Sequence, residues 1–490
     1  MTRGALSLAA ALLAGCTVGP NYSRPQAPVP PAFAEPHAAA GATDTDLASW
    51  WTGFGDPKLD ELVNRAVAQN LDVESAAARI REARAEERVA GAAAAPQVGA
   101  TGSVTRQRIS EHAIPAPPGG GGGNTGGFAA PGSEFTTWRA GFDASWEIDL
   151  FGRTRRSVEA AQARTGAAIW NLRDVQVSTA AEVASAYLQL RTLQQRIAIA
   201  EAEVDRQERA LRLISARTRG GLVTGQDLEQ QKSSLASARA AVPPLQSAAD
   251  AQIHKIGVLT GSPPESLIAD LSPAGIGVSS PSPPQVPAGL PSDLLRRRPD
   301  IRAAERNLAA ATADIGVATA DLYPRFSLSA APALVSTALA SLLQWGSRAF
   351  TAGAAIDWPI FNGGRSRANI AVTNARQEQA LIAYRKTILA ALQDVEDALS
   401  AVDGDRQRAA SLDASLGSAR RAEDIARARY RGGLVAYSDV LQAQATRISL
   451  ENDVIETRGA LERDTVALYK ALGGGWPEMA QGAAEGAVQP

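Results

Sequence analysis

The sequence predicts an α+β fold, mainly α-helical, in which one unit of a long coiled-coil helical hairpin and two β-strands occurs twice. The first observation is an internal repeat, because the motif Arg-Gly-Gly-Leu-Val at 219–223 recurs at 431–435. The second is a strict alternation of apolar and polar residues in short segments, which is typical of strands. The third is a pair of very long segments without proline, which is typical of helices.

The repeat extends well beyond this motif. At the same offset, residues of the first copy return in the second: Trp146 as Trp358, Ile148 as Ile360, Gly152 as Gly364 and Asp227 as Asp439. Upstream the offset is larger and pairs Pro96 with Pro324, so the first copy carries an insertion between its proline and its tryptophan. Insertions collect in loops. We therefore predict repeat 1 at 50–261, a linker at 262–291, repeat 2 at 292–474 and a tail at 475–490.

Alternating segments predict two strands in each copy. Between 137 and 149 the even positions include Trp138, Phe142 and Trp146. The odd positions include the charged residues Arg139, Asp143 and Glu147. One face of this strand is therefore apolar and the other polar. The same pattern predicts four strands in the chain, at about 97–107, 136–149, 325–334 and 349–359.

Long helices are predicted after the second and fourth strands. Proline is absent between Phe151 and Gly220 and between Phe361 and Gly432, and helices of such length reach roughly 100 Å at about 1.5 Å per residue. Returning helices complete two hairpins, so the predicted long helices span about 152–219, 222–260, 364–431 and 434–472. Pro243-Pro244 lies within the second of these helices. Because proline inside a helix costs about 3 kcal/mol, we expect a break there.

The amino terminus has the pattern of a secretion signal. Residues 1–15 contain one early arginine and an apolar run that is too short to span a membrane. The ending Leu13-Ala14-Gly15-Cys16 resembles the cleavage site of bacterial lipoproteins, which implies a signal peptide at 1–15 and an acylated Cys16. Cys16 is the only cysteine, so an intrachain disulfide is excluded.

The residues after the cysteine are expected to form an acylated tether, 16–49, because they are rich in proline. In bacterial lipoproteins an aspartate after the cysteine is the usual signal for retention in the inner membrane. Thr17 stands there instead, and the resemblance therefore implies the outer membrane.

Charge and composition exclude several classes of function. The net charge is −2 and the pI about 6.1, so the chain lacks the basic signature of nucleic-acid binding. The three histidines, His37, His112 and His254, show no metal-ligand spacing, and we expect no metal, cofactor or catalytic site. The glycine run 119–123 lacks the Lys-Ser/Thr ending of a phosphate-binding loop and is interpreted as part of a cell-surface loop. The protein is therefore not expected to be an enzyme.

Insertion into a membrane, if it occurs, has to use the strands. After the signal the chain has no run of about 18 apolar residues, which a spanning helix needs. Strands in lipid close into a barrel because open edges leave backbone groups unsatisfied. Four strands do not close alone, whereas two, three or four copies give eight, twelve or sixteen strands. A soluble sandwich is the other interpretation of these strands.

Two segments resemble one protein family. Trp50-Trp51 with Phe54-Gly55-Asp56-Pro57, and the segment from Leu294 to Glu305, are similar to TolC-like outer-membrane efflux factors. The resemblance is specifically to the lipoprotein branch that serves resistance-nodulation-division (RND) pumps. The resemblance covers essentially the whole mature chain. It implies a homotrimer that forms a 12-stranded β-barrel continued by a periplasmic α-barrel.

The same resemblance implies a function. The protein would be the passive exit duct of a tripartite pump, exporting drugs or other toxic small molecules across the outer membrane of a Gram-negative bacterium. It would be lipid-anchored and extend into the periplasm. Its partners would be outer-membrane lipid, a periplasmic adaptor (membrane fusion) protein and an inner-membrane RND pump. The alternative is a periplasmic adaptor-like coiled-coil lipoprotein, which would have one hairpin.

The two hairpin tips are predicted at glycine pairs. Gly220 and Gly221 follow the first long helix, and Gly432 and Gly433 follow its repeat. Glycine permits the left-handed conformation that commonly ends a helix. In the family these tips form a closed periplasmic gate, so the resemblance implies that function concentrates here.

Four further residues are assigned to this gate by the resemblance. Tyr430 corresponds to a tip tyrosine of the family, Asp227 to the aspartate bonded to it, and Asp439 to an aspartate that faces the pore. Gln442 stands where the family often has a second pore aspartate, which implies fewer charges and less cation selectivity. Two arginines found in relatives are likewise replaced, by Ala445 and Val435. The same aspartates are also explained as helix caps and surface charges.

Overall fold

The computed structural model of the protein describes residues 17–26, 29–34, 47–110, 112, 132–272, 284, 286 and 291–476. The predicted signal peptide, Cys16 and the glycine run 119–123 lie outside the described residues. The chain divides into two compact units. The strand unit comprises Met1–Ser23, Glu82–Thr165 and Asn307–Leu381, and the helical unit comprises Arg24–Arg81, Gly166–Arg306 and Ile382–Pro490.

The order of elements is duplicated along the chain. The first copy contains α1 (Pro57–Gln69), α2 (Leu71–Ala92), β1 (Gln97–Arg108), β2 (Glu134–Ile148), α3 (Arg153–Arg219) and α4 (Gly225–Leu259). After the short helix α5 (Ile268–Leu271), the second contains α6 (Pro291–Arg297), α7 (Pro299–Ala320), β3 (Arg325–Ser336), β4 (Arg348–Asp357), α8 (Arg365–Arg431) and α9 (Tyr437–Ala471). Helices α3 and α8 each have 67 residues, and α4 and α9 each have 35. The predicted α+β fold with two long hairpins is confirmed.

None of the helices in the described part of the chain is both long and apolar enough to cross a membrane.

The four strands form one antiparallel sheet in the order β1-β2-β3-β4. The register places Ala100 opposite Phe142, and Leu328 opposite both Trp146 and Ala354. Residues directly opposite one another share a face of the sheet. Most of the large apolar residues of the four strands therefore lie on one side, here called the apolar face. It includes Val98, Val104, Trp138, Phe142, Trp146, Phe326, Leu328, Leu334, Phe350 and Ile356.

Large side chains of the apolar face are exposed in the single chain. Phe142 is 59% exposed, Ile356 66% and Phe350 84%. The opposite face carries the polar residues of β2, where Thr101 of β1 donates a 2.6 Å hydrogen bond to Asp143. Exposed apolar surfaces of this extent mark sites of contact with lipid or with another protein chain.

A large hydrophobic cluster lies in the helical unit and includes residues that carry the family resemblance. Trp50 and Phe54 are buried, and the Trp50 ring stacks on Tyr469 at a centroid distance of 5.2 Å. Asp56 caps α1 by accepting from the Lys58 amide at 2.9 Å, with Pro57 at the first helical position. These motif residues therefore act in folding and helix initiation.

Pro243 and Pro244 do not break the returning helix. Helix α4 runs without interruption through both prolines, so the predicted break is wrong. The prolines remove the amide hydrogens that would bond to the carbonyl groups of Arg239 and Ala240. Those two residues and both prolines are exposed, so water can bond to the freed carbonyl groups. The cost that proline imposes on a buried helix is reduced accordingly.

Candidate functional site: the two hairpin tips

The first hairpin tip is a tightly bonded turn at the end of α3. The amide of Leu222 donates to the Arg217 carbonyl at 2.9 Å, and the amide of Gly221 donates to the Thr218 carbonyl at 3.0 Å. Gly221 has a φ of 69°, in the left-handed region. This pair of bonds defines a Schellman motif, in which the left-handed residue is usually glycine because a Cβ would be strained.

The second tip repeats this geometry. The amide of Leu434 donates to the Arg429 carbonyl at 3.0 Å, the amide of Gly433 donates to the Tyr430 carbonyl at 3.0 Å, and Gly433 has a φ of 71°. Of the four predicted tip glycines, Gly221 and Gly433 thus need their conformational freedom. A Cβ at Gly220 or Gly432 would make only ordinary contacts of 3.5 Å or more.

Each tip presents one exposed leucine. Leu222 is 77% exposed and Leu434 is 76% exposed, although both are large apolar residues. They occupy equivalent places in the two turns, so the duplication preserves an apolar side chain at each tip. The leucine of the repeated Arg-Gly-Gly-Leu-Val motif is the feature of the sequence that indicates this exposed apolar contact. The sequence analysis assigns a function only to residues near it.

Asp227 lies in the first turn of α4 and caps that helix. Its carboxylate accepts from the Thr224 amide at 3.1 Å and from the Thr224 hydroxyl at 2.8 Å, while the Asp227 amide donates to Thr224 Oγ1 at 3.2 Å. This is a capping box. The bond between Asp227 and Tyr430 that the family resemblance implied is not formed in the described chain, because the cap directs the carboxylate to Thr224.

Tyr430 instead packs against Tyr437, with ring centroids 5.2 Å apart. Tyr437 forms a small apolar cluster with Ile214 and Val440, and this cluster joins the two hairpins near their tips. The Tyr437 hydroxyl donates a 2.7 Å hydrogen bond to Gln231 of α4. Burial, together with the nearby Tyr430, raises the pKa of Tyr437 to about 12.

A series of buried, hydrogen-bonded polar groups continues from Gln231. The side-chain nitrogen of Gln231 donates to the main-chain carbonyl oxygen of Gln207 at 3.0 Å and to the side-chain oxygen of Gln207 at 2.6 Å. Gln207 in turn donates to Glu203 at 2.5 Å. Gln231 is completely buried, and its partners Gln207 and Glu203 are 6% and 7% exposed. Buried polar groups of this kind are costly unless each is bonded, and here they are bonded to one another.

This series of buried polar groups ends at Arg447 of α9. The Arg447 side chain links three long helices. Its guanidinium donates to Glu423 of α8 at 2.5 Å, bonds to Glu451, and lies 3.7 Å from Glu203 of α3. Glu203 and Glu423 are 7% and 4% exposed, so both are slightly more buried than Arg447, which is 8% exposed. Burial alone lowers the pKa of Arg447, but Glu451 and Glu423 more than offset this effect and raise it. These charges are therefore buried between helices, where they bond to one another, rather than exposed to solvent.

Asp439 and Gln442 lie one turn apart at the start of α9 and are both exposed. The Asp439 carboxylate accepts from the Ala436 amide at 3.2 Å, which matches one half of the capping box at Asp227. Its neighbour Val440 is buried, so the two polar side chains lie outside the apolar tip cluster. Asp439 therefore serves as a cap and also presents a negative charge to the surroundings.

Among the residues that the structure describes, no group of three or more His, Cys, Asp and Glu side chains is placed to hold a metal ion. The tips offer hydrogen bonding, charge and apolar contact.

Comparison with known proteins gives the family. The chain matches the family profile "Outer membrane efflux protein" over residues 62–262 and 290–474. The pyoverdine export outer membrane protein OpmQ of Pseudomonas aeruginosa is 35% identical over 478 residues, which cover 96% of this chain and 98% of OpmQ. The cation efflux system protein CusC of Escherichia coli is 30% identical over 470 residues, which cover 95% of this chain and 97% of CusC. The solved structure of the outer-membrane channel OprN is 34% identical in sequence and superimposes with a TM-score of 0.81. The match covers 94% of this chain and 100% of the OprN chain. The chain belongs to the outer membrane efflux protein family.

Proposed function

We propose that the protein is a homotrimeric exit duct whose twelve strands close a β-barrel in the outer membrane and whose hairpins continue it into the periplasm. The observation that carries this proposal is the sheet. It has two open edges, β1 and β4, and an exposed apolar face that all four strands share. Pairing β1 of one copy with β4 of the next would remove every edge, and lipid would cover the apolar face.

The alternative of a periplasmic adaptor-like lipoprotein fits less well. An adaptor of this kind would have one helical hairpin, whereas the described chain has two of equal length. Relatives such as OprN are channels. The duct would accordingly be a passive conduit. Energy for transport would come from an inner-membrane RND pump, joined to the duct by a periplasmic adaptor.

The cargo is a class of small molecules. OpmQ is named for pyoverdine and CusC for cations, so relatives of similar identity serve chemically unlike cargoes. A wide duct discriminates little by itself, because pore diameter and lining charge are the means by which pores select. Selection of drugs or other toxic compounds would therefore lie with the pump.

The hairpin tips are proposed to form the periplasmic gate. Both tips have the same Schellman turn, and Asp227, Tyr430, Asp439 and Gln442 all lie within it or in the adjoining helical turns. The leucines at the tips would contact the neighbouring tips or the adaptor. In this arrangement Tyr430 acts through its packing on Tyr437, and three copies of Asp439 would form a negative ring.

Removing or adding a negative charge at this ring tests the gate in planar bilayers. One carboxylate attracts a monovalent cation about 10 Å away by about 0.4 kcal/mol in water, so three together change the permeability ratio severalfold. Asp439→Asn is expected to lower the preference for cations over anions. Gln442→Asp, one helical turn away, is expected to raise it. Unchanged selectivity in both variants would show that this face of α9 does not line the pore.

Lipidation of Cys16 is tested separately. Labelled palmitate is expected on the wild-type protein and absent from Cys16→Ser, because the chain contains no other cysteine. Each buried methylene of an acyl chain contributes about 0.8 kcal/mol to membrane attachment, so the anchor would add to that of the barrel. Label retained by Cys16→Ser would refute acylation at this residue.

A further inference from the structure

The residues that follow Cys16 are bound to the strand unit at the junction between β2 and α3. The amide of Val18 donates to the Phe151 carbonyl at 3.2 Å. Gly152 has a φ of 82°, and a Cβ there would lie 3.0 Å from Thr17 Cα and 2.7 Å from Thr17 Cγ2. The main chain at 17–19 thus approaches this junction closely, and a larger residue at 152 would displace it.

Arg156 of α3 holds the same segment with its buried side chain. Its Nε donates to the Val18 carbonyl at 3.2 Å, and one terminal nitrogen donates to the Gly19 carbonyl at 3.4 Å and to Asn21 Oδ1 at 2.6 Å. The other terminal nitrogen pairs with Glu159 at 2.7 Å. Only 4% of the Arg156 side chain is exposed. The planar fork of arginine suits several acceptors at once, which lysine does not match.

Two glycines make room for this contact. Gly19 has a φ of 88°, and a Cβ there would lie 2.5 Å from Gly316 Cα of α7. A Cβ at Gly316 would lie 2.7 Å from Arg156 Cγ. The main chain at Gly19, helix α7 and the Arg156 side chain are therefore packed so closely that an added methyl group would not fit. We call the site formed by Gly152, Arg156 and Gly316 the N-terminal seat.

The internal repeat supplies a control for the role of these residues. At the offset that pairs Gly152 with Gly364, Arg156 corresponds to Ala368. At the offset that pairs Pro96 with Pro324, Gly316 corresponds to Arg88. A Cβ at Gly364 would meet no atom within 4 Å. The duplicated fold thus forms without the arginine and without the small residue, so the seat is specific to the copy that receives the amino-terminal segment.

We propose that the N-terminal seat is a binding site for the protein's own acylated amino terminus, with Arg156 as its positioning residue. Cys16 directly precedes Thr17, and successive Cα atoms are about 3.8 Å apart. The seat therefore holds the residue that directly follows Cys16 at the junction between β2 and α3, where the rings of Phe151 and Tyr323 stack 4.7 Å apart. The function of the seat rests on the proposed acylation of Cys16, but the binding of residues 17–21 does not.

A spin label on this segment tests the seat without the lipid. In Cys16→Ser, an added Pro20→Cys provides the single labelling site, and Pro20 is exposed, so the label need not disturb the contacts. An immobilised spectrum is expected in this background and with Arg155→Gln, a control in the adjacent residue, which bonds to Asp149. Arg156→Gln is expected to lose the immobilised component, and Arg156→Lys to retain part of it.

Two further measurements keep the result interpretable. Asn21→Ala removes the shortest bond of the seat without altering a helix, so it is expected to mobilise the label even if Arg156→Gln folds poorly. With Cys16 intact, Arg156→Gln is expected to incorporate palmitate as the wild type does. A mobile label in the parent, or an immobile one in both Arg156→Gln and Asn21→Ala, would overturn the seat. If the wild type does not incorporate palmitate, the proposed acylation of Cys16 is refuted, but the binding of residues 17–21 is not.

Discussion

Replacing Arg447 with methionine is expected to lower the free energy of unfolding by about 3–5 kcal/mol per chain, the cost of removing one partner from a buried ion pair. The variant leaves Glu203 and Glu423, which are 7% and 4% exposed, without their shared positive charge. Because these residues lie on three different long helices, the loss is expected to loosen the contact between the hairpins. Thermal unfolding followed by circular dichroism at the helix band measures the effect.

Two comparisons separate this mechanism from a general effect of losing an arginine. Arg458 forms an ion pair with Asp413 in which the side chains are 56% and 45% exposed, so Arg458→Met is expected to cost about 1 kcal/mol or less. Arg447→Met leaves Glu203 and Glu423 only their pairs with the more exposed Arg206 and Arg427. Adding Glu203→Gln and Glu423→Gln to Arg447→Met removes these two buried negative charges and is expected to recover part of the stability. Equal destabilisation by Arg447→Met and Arg458→Met would contradict the buried cluster.

Placing an arginine on the apolar face is expected to prevent assembly in the membrane. Phe142 lies near the middle of the 15-residue strand β2 and is 59% exposed in the single chain. A charged side chain on the lipid face near the bilayer midplane costs about 2–4 kcal/mol, and a trimer carries three copies. Phe142→Arg is therefore expected to abolish the heat-modifiable oligomer in the outer-membrane fraction.

Ser145→Arg is the matched control, because Ser145 belongs to the same strand and is exposed on the opposite face. This variant is expected to assemble, since a charge in a watery lumen keeps its hydration. Cross-linking of the wild type is expected to saturate at three subunits. Saturation at two or four would refute the trimer, and equal accumulation of both arginine variants would favour a soluble sheet.

Local patterns were sufficient wherever one segment determines its own structure. The alternation around Trp138 and Phe142 predicted a strand with one apolar face, and the register confirms that its neighbours continue that face. The glycine pairs predicted the ends of α3 and α8, since a Schellman turn needs a left-handed residue at that point. Pro243-Pro244 is the exception, because helix propensity does not show that the lost bonds lie on an exposed surface.

The sequence by itself thus determined the duplicated architecture, the two turn conformations and the family, because each depends on residues close together or on motifs read in order. Only the tertiary structure decided that Arg447 joins Glu203 and Glu423, that Tyr437 bonds to Gln231, and that Arg156 holds Val18 and Asn21. Several of these partners are far apart in the chain, and helical periodicity does not tell which neighbour covers a given face. A charge on a long helix is solvated or buried according to the helix packed against it, and that packing is a property of the folded chain.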